Sequence, residues 1–265
     1  MPFNQVDSLR YYTFDIFDQI ALTHAVFTRH GGYSPEPWDS LNMGSVVGDD
    51  IQRVNANRER AFRSVGRDPA SMYDVWQMHT AKVVCTDAPR PAHIPHIKAD
   101  AILTDSPDVT LFMRFADCVP ILLHDPIRRV VGLVHAGWQG TVWNVVAAAL
   151  ETMTQRYSSQ PAHIRAGIGP SIGLHHYEVG DEVVAQVRQL FDNDDVADDL
   201  LPKQNGVVKF DLWNANRLLL ADAGVSDIQI AGLCTACHLD DWYSHRAENG
   251  KTGRFGALIG LNAHK

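Results

Sequence analysis

Basic residues are scarce: 23 Lys and Arg stand against 31 Asp and Glu, a formal net charge of −8. A chain so balanced has no global basic field to hold nucleic acid or an anionic membrane, and any anionic ligand must be held by local arginines. Long apolar runs are missing too. No stretch approaches the ~20 residues of a membrane span. The opening "MPFNQVDSLRYYTFD" has neither the basic nor the apolar region of a secretion signal, so a cytoplasmic location is expected. Cysteine is sparse, with 4 in 265 residues, and Cys85 and Cys118 lie far apart. That pattern argues against a disulfide framework and for reduced thiols. Internal repeats and low-complexity linkers are also absent, and 45% hydrophobic residues suffice for a packed core, so one domain over residues 1–265 is the economical expectation.

What is present is an alternation of short β-rich runs and amphipathic segments. "ALTHAVFTRHGG", "AKVVCTD", "AILTD", "VTLFMRFAD", "VPILLHD", "RVVGLVHAG", "IRAGIG", "GVVKFD", "IQIAGLCT" and "RFGALIGL" read as strands, being rich in β-branched and aromatic residues and mostly closed by Gly, Pro, Asp or Asn. Val142, Val145, Val146, Ala149, Leu150 and Met153 form an i, i+3, i+4, i+7 stripe, which predicts a helix packed on a sheet. Weaker stripes predict helices over Ile51 to Val65, Val183 to Phe191 and Leu212 to Ala223, the last stopped by Gly224. "APRPAHIPHI" reads as a loop, because its prolines cannot donate to a strand ladder. The acidic "DNDDVADD" reads as a solvated turn without the ligand spacing and central glycine of a calcium loop.

Two of the predicted strands end at chemistry-bearing side chains. Cys118 precedes "VPILLHD", His135 closes "RVVGLVHAG", and His79 stands before "AKVVCTD". One thiolate and two imidazoles suit a borderline-soft divalent ion such as Zn²⁺, and three protein ligands leave a fourth position for water or substrate. The donors come from separate strands without a compact metal motif, so core histidines and a buried hydrophobic cysteine remain open readings. So does a cysteine hydrolase or deamidase with Cys118 as nucleophile and His135 as base.

Three tempting motifs carry less. "GIGPSIG" is a residue too long for a dinucleotide-binding loop and is broken by Pro170. "CTAC", Cys234 to Cys237, has redox or zinc-knuckle spacing but no second such pair. In an extended segment the adjacent His175 and His176 would point to opposite faces.

In order, "FTRHGGYSPEPWDSLNMGSVVGDD", "NANR", "QMH", "ADAILTDSPDVTLFMRFADCVPILLHDP", "HAGWQGT", "GIGPSIGLHHYEVGDEV", "CTAC" and "YSHRAENGKTGRFGALIGL" resemble the laccase-domain, or multicopper polyphenol oxidoreductase, family, also described as purine nucleoside phosphorylases. The resemblance implies an α+β fold of four layers, α/β/β/α, with two mixed β-sheets. It implies a metal held by His79, Cys118 and His135, Zn²⁺ with Cu²⁺ as an adventitious occupant. It also implies phosphorolysis of adenosine, inosine and methylthioadenosine, with adenosine deamination beside it. A multicopper oxidase needs many imidazoles, usually as His-x-His pairs, and the 13 histidines include none, so laccase-like oxidation is disfavoured.

On this reading the partners are a purine nucleoside and phosphate, without nucleic acid or membrane, and a monomer is expected. Arg29, Arg58 and Arg246 are the candidate phosphate forks, with Asn42 and Gln77 as further substrate contacts. Gly31, Gly32 and Gly44 would let backbone N–H groups approach the ligand. His30, Asp117 and Gln77 are candidates for moving a proton beside Cys118 and His135. The chain departs from the family pattern at Gln139, where arginine is usual, and at His175 and His176, where a cysteine pair is common. A non-enzymatic binding role linked to cell-wall precursors is the remaining alternative.

Overall fold

A computed structural model describes residues 2–17 and 22–263. In chain order its strands are β1 (Phe3–Val6), β2 (Leu9–Tyr12), β3 (Leu22–Phe27), β4 (Met72–Asp74), β5 (Val83–Cys85), β6 (Ala101–Thr104), β7 (Thr110–Phe115), β8 (Val119–Asp125), β9 (Val130–Ala136), β10 (Arg165–Ile168), β11 (Lys203–Gln204), β12 (Val207–Val208), β13 (Asp227–Ile230) and β14 (Phe255–Leu261). The helices are α1 (Ile51–Ser64), α2 (Trp138–Val142), α3 (Val145–Tyr157), α4 (Asp181–Leu190), α5 (Asp194–Leu200) and α6 (Leu212–Asp222).

The first sheet has the order β1-β2-β3-β14-β7-β4 and the second β13-β10-β8-β9-β6-β5. Both are mixed, since β4 runs parallel to β7 in the first, and β13 to β10 and β5 to β6 in the second. Between the sheets lies a core that includes Phe14, Phe115, Leu133, Trp242 and Phe255. Phe62 of α1 packs on Phe112 and Leu258 on the outer face of the first sheet. Val145 and Leu150 of α3 and Leu220 of α6 cover Val134 and Ala166 on the outer face of the second. The four-layer α/β/β/α expectation therefore holds, and both sheets have two covered faces, which is why β8, β9 and β14 are buried along their whole length.

Local departures have local causes. The predicted helix from Val142 is two helices, because Asn144 adopts a left-handed conformation (φ 54) and caps the second with its side chain on the Ala147 N–H. The acidic run is not a turn but holds α5, nucleated by Asn193, which accepts from the N–H groups of Asp195 and Val196, and anchored by buried Ala197 and Leu200. Asp194 and Asp195 there face the positive end of the helix dipole. Strands β1, β2, β4 and β11 were not anticipated; β1 is mostly exposed and shows no alternation to read. "GVVKFD" supplies only the two residues of β12, paired with β11.

Candidate metal centre and cleft

Topology brings the three donors together. The chain passes from the first sheet to the second twice, from β4 to β5 and from β7 to β8, and His79 and Cys118 lie on these two crossings. Pairing of β8 with β9 sets Pro120 opposite His135 and Val119 opposite Ala136, so the second crossing ends beside His135. The donor atoms of His79, Cys118 and His135 all lie within 4.8 Å of one another, with Cys118 Sγ 3.8 Å from His79 Nε2. His79 (φ 59) and Asp117 (φ 82) are left-handed residues at the two crossings, a conformation that Asp and His adopt more readily than most.

The residue that organizes the centre was not singled out from sequence. Asp100, fully buried just before β6, accepts from the N–H groups of Met78 (3.1 Å), His79 (3.0 Å) and Thr80 (2.7 Å), from the Thr80 hydroxyl (2.9 Å), and pairs with His135 Nδ1 at 2.8 Å. It fixes the His79 turn and the tautomer of His135, leaving His135 Nε2 as the free donor, as metal-binding histidines usually require. Burial pushes the Asp100 carboxyl up, but its bonds to His135 and Thr80 outweigh that and bring it down to about 2. Burial also pushes the Cys118 thiol up, yet the His135 charge and the hydrogen bonds of both histidines hold it near 6. Burial lowers His135, while the Cys118 thiolate and Asp100 raise it to about 9. The shifts favour a charged pair sharing a proton, a place that a cation can take. The absence of a side chain at Gly137 makes room, since a Cβ there would lie 2.9 Å from Cys118 Sγ and 3.0 Å from His79 Cδ2. One sulfur and two nitrogens with a supporting carboxylate fit Zn²⁺ with an open fourth position.

The donors open into a cleft of about 330 Å³ lined by Gly44, Ser45, Val46, Trp76, Gln77, His79, His96, Arg114, Ala116, Cys118, His135, His245 and Arg254. The lining carries cationic and aromatic groups and no carboxylate, in a chain that is negative overall. Arg114 and His96 are anchored on buried Asp74 at 3.1 and 3.0 Å. Arg254 donates Nη1 to the carbonyls of Thr252 and Gly253, and among the described residues its Nε and Nη2 have no hydrogen-bond acceptor. Gly44 lets it pass, because a Cβ there would meet Arg254 Cγ at 2.7 Å.

Several sequence candidates are placed elsewhere. Arg29 donates to Asp39 O and Leu239 O (both 2.8 Å), pairs with Glu248 and covers the Tyr243 ring. Arg58 spends Nε and Nη2 on Met43 O. Neither lines the cleft, because their guanidinium groups close backbone turns. Asn42 is buried and holds the N–H groups of Gly44 and Arg254. Gly31 and Gly32 pack against the backbones of Leu9 and Leu41, leaving no room for a Cβ, and neither lines the cleft. His30 pairs with Asp241 at 3.1 Å, away from the lining. Gln77 lines the cleft, with its amide engaged by the Arg114 backbone. Asp117 accepts from the Thr235 hydroxyl and the Arg246 N–H, both at 2.6 Å. Arg246 donates to Glu178 O and lies over Tyr177. Trp76, His96, Arg114, His245 and Arg254 are cleft groups that sequence reasoning passed over, though the last three stand inside family motifs quoted above.

His175 and His176 do not point apart. They lie in a single 3-10 turn, Leu174–His176, with ring centroids 4.8 Å apart.

One cysteine and two histidines that could hold a metal ion, gathered where the chain crosses between two mixed sheets, mark the candidate site of this α/β/β/α protein. Residues 23–262 match the family described as multi-copper polyphenol oxidoreductase laccase, and the chain belongs to that family. It is 38% identical to purine nucleoside phosphorylase YlmD of Bacillus subtilis, over 88% of this chain and 86% of that one. It is 37% identical to a purine nucleoside phosphorylase of Deinococcus radiodurans, covering 91% and 90%. The crystal structure of Bacillus licheniformis YfiH superimposes with a TM-score of 0.90 at 35% identity, covering 98% of this chain and 99% of that one. Among the described residues no helix is long and apolar enough to cross a membrane.

Proposed function

We propose that this chain is a purine nucleoside phosphorylase acting on adenosine, inosine and methylthioadenosine, with adenosine deamination as a second activity. The observation that carries the reading is the His79, Cys118 and His135 set opening into a carboxylate-free cleft, in a chain whose relatives bear that name. His79 and His135 through Nε2 and Cys118 through Sγ would hold Zn²⁺. When bound, the ion supplies Lewis acidity and acidifies water, chemistry that deamination requires.

The remaining steps belong to the chain. Trp76, 44% exposed at the cleft wall, offers a flat apolar face to the purine. The unengaged Nε and Nη2 of Arg254 form a fork for phosphate, in place of Arg29 and Arg58. Phosphate oxygen attacks the anomeric carbon, the bond to the purine nitrogen breaks with its electron pair on the base, and a proton must reach that base. His245, exposed at the cleft, is placed to give it. Asp117 acts by holding Arg246 and Thr235 around Cys118 rather than by moving a proton, and His30 takes no part. The same reading takes the chain to be a cytoplasmic, single-domain monomer with purine nucleoside and phosphate as its partners and neither nucleic acid nor membrane among them.

A panel of nucleosides assayed with and without phosphate, reading base and sugar 1-phosphate by chromatography, tests this. Phosphate-dependent base release is expected. The lowered Cys118 thiol beside His135 favours one other reading, a cysteine hydrolase. Activity that survives metal removal, ignores phosphate and is abolished by alkylating Cys118 would establish that reading instead.

A further inference from the structure

A second group of soft donors lies outside the cleft. His175, His176, Cys234 and Cys237 each present a ligand atom within 4.8 Å of all the others. The histidines follow β10 and the cysteines follow β13, parallel neighbours at the edge of the second sheet. A bridge between Ser171 and Cys234 continues that pairing beyond both strands, bringing the two segments side by side. The "CTAC" segment closes a turn in which the N–H groups of Cys237 and His238 both reach Cys234 O, so Cys234 and Cys237 face the same side. Gly173 lets the 3-10 turn close over them, since a Cβ there would lie 2.8 Å from His175 Cε1 and 3.2 Å from Cys234 Cβ. All four cysteines of the chain are free thiols.

We infer that His175, His176, Cys234 and Cys237 form a second, structural Zn²⁺ site. Two sulfurs and two nitrogens complete a tetrahedron without water, the donor set of structural rather than catalytic zinc. Such a site needs donor separations of about 3.3–3.8 Å. The group approaches this already: the contact between His175 Nε2 and Cys237 Sγ opens from 2.9 Å, while edges of at most 4.8 Å close by up to about 1.5 Å. Binding displaces the two thiol protons to solvent.

The ion would staple segment 173–178 to segment 234–237. Both segments reach the crossing that carries Cys118: Ile172 N–H donates to Asp117 O, Thr235 donates to the Asp117 carboxylate, and Arg246, held on that same carboxylate, reaches Glu178 O. The site thus supports the cleft wall from behind and takes no part in the reaction.

Elemental analysis of zinc-reloaded protein, after exhaustive chelation and gel filtration, tests the inference. Wild-type protein should hold two zinc ions per chain. Cys237→Ser and His176→Ala, both at exposed positions, should hold one, as should Cys118→Ser, and the Cys118→Ser/Cys237→Ser double variant none. Cobalt supplies an independent readout: in Cys118→Ser protein the thiolate-to-cobalt charge-transfer band should persist and should vanish when Cys237→Ser is added. Cys237→Ser should also lower Tm in zinc while leaving the zinc-free Tm unchanged. One zinc per chain in the wild type, unaltered by Cys237→Ser, would overturn the site. So would a Cys234–Cys237 disulfide in protein purified under reducing conditions, which would assign the pair to redox chemistry.

Discussion

Replacing Asp100 by Asn isolates what one buried carboxylate does for the metal centre. The change keeps shape and volume but exchanges one acceptor oxygen for an NH₂ group. Oδ2 receives Met78 N–H, Thr80 N–H and the Thr80 hydroxyl, while Oδ1 faces His79 N–H and His135 Nδ1. The amide therefore turns its NH₂ toward the Oδ1 side, where it opposes two donors instead of three. His135 can accept from that NH₂ only by moving its proton to Nε2, the atom needed for the metal. His79 N–H is left without an acceptor, at about 1–3 kcal/mol for a buried donor, and weaker neutral bonds replace charge-assisted ones. The sum is about 2–4 kcal/mol of stability, or a fall of roughly 5–15 °C in the Tm of metal-free protein. Loss of a supporting carboxylate costs about 10–100-fold in metal affinity, and the tautomer change places the result at the upper end. Competition with a chromophoric zinc chelator gives the affinity, and calorimetry gives the Tm. Wild-type zinc affinity in a protein whose Tm has fallen would refute the tautomer switch, and an unchanged Tm would refute the role of Asp100 in holding residues 78–80.

Gly137→Ala separates space from backbone. With φ −73 and ψ 178 the position accepts alanine, but the added methyl must push Cys118 and His79 apart, so elemental analysis should show at least tenfold weaker zinc retention, as for a lost supporting contact. Arg254→Lys should raise the phosphate KM by roughly 10- to 100-fold, the equivalent of about 1.5–3 kcal/mol for charge-assisted bonds, whereas Arg29→Lys should leave it unchanged; equal effects would remove Arg254 from its assigned role. Burial, aided by the charge of His124, lowers His24 from 6.5 to about 4. Burial likewise lowers His124 to about 4. Both are neutral in the folded protein, so the stability they contribute is full above pH 6.5 and is lost as pH falls toward 4, at up to about 1.4 kcal/mol per pH unit each. In a Tm series across that range, His24→Gln should flatten the slope, and an unaltered slope would show that His24 is not buried as a neutral ring.

The periodic segments were legible because their pattern is local. Ile51, Leu212 and Gly224 mark helix ends that the structure reproduces nearly residue for residue, since caps and apolar stripes act within a few positions of the chain. The identity of His79, Cys118 and His135 as a group was legible from donor chemistry and from motif order. Their convergence was decided by the two crossings between sheets and by the β8–β9 register, which no spacing along the chain reveals. The arginines show the same division most clearly. Arg29, Arg58 and Arg254 are alike as residue types, and what distinguishes them is which carbonyls the fold brings to their guanidinium groups: the first two close turns, while Arg254 keeps one edge toward the cleft. His175 and His176 would diverge in a strand but stand together in a 3-10 turn. Sequence determined which groups were available, and tertiary structure decided which of them remained unpaired, because a polar group's role depends on the partners that packing brings within hydrogen-bond reach.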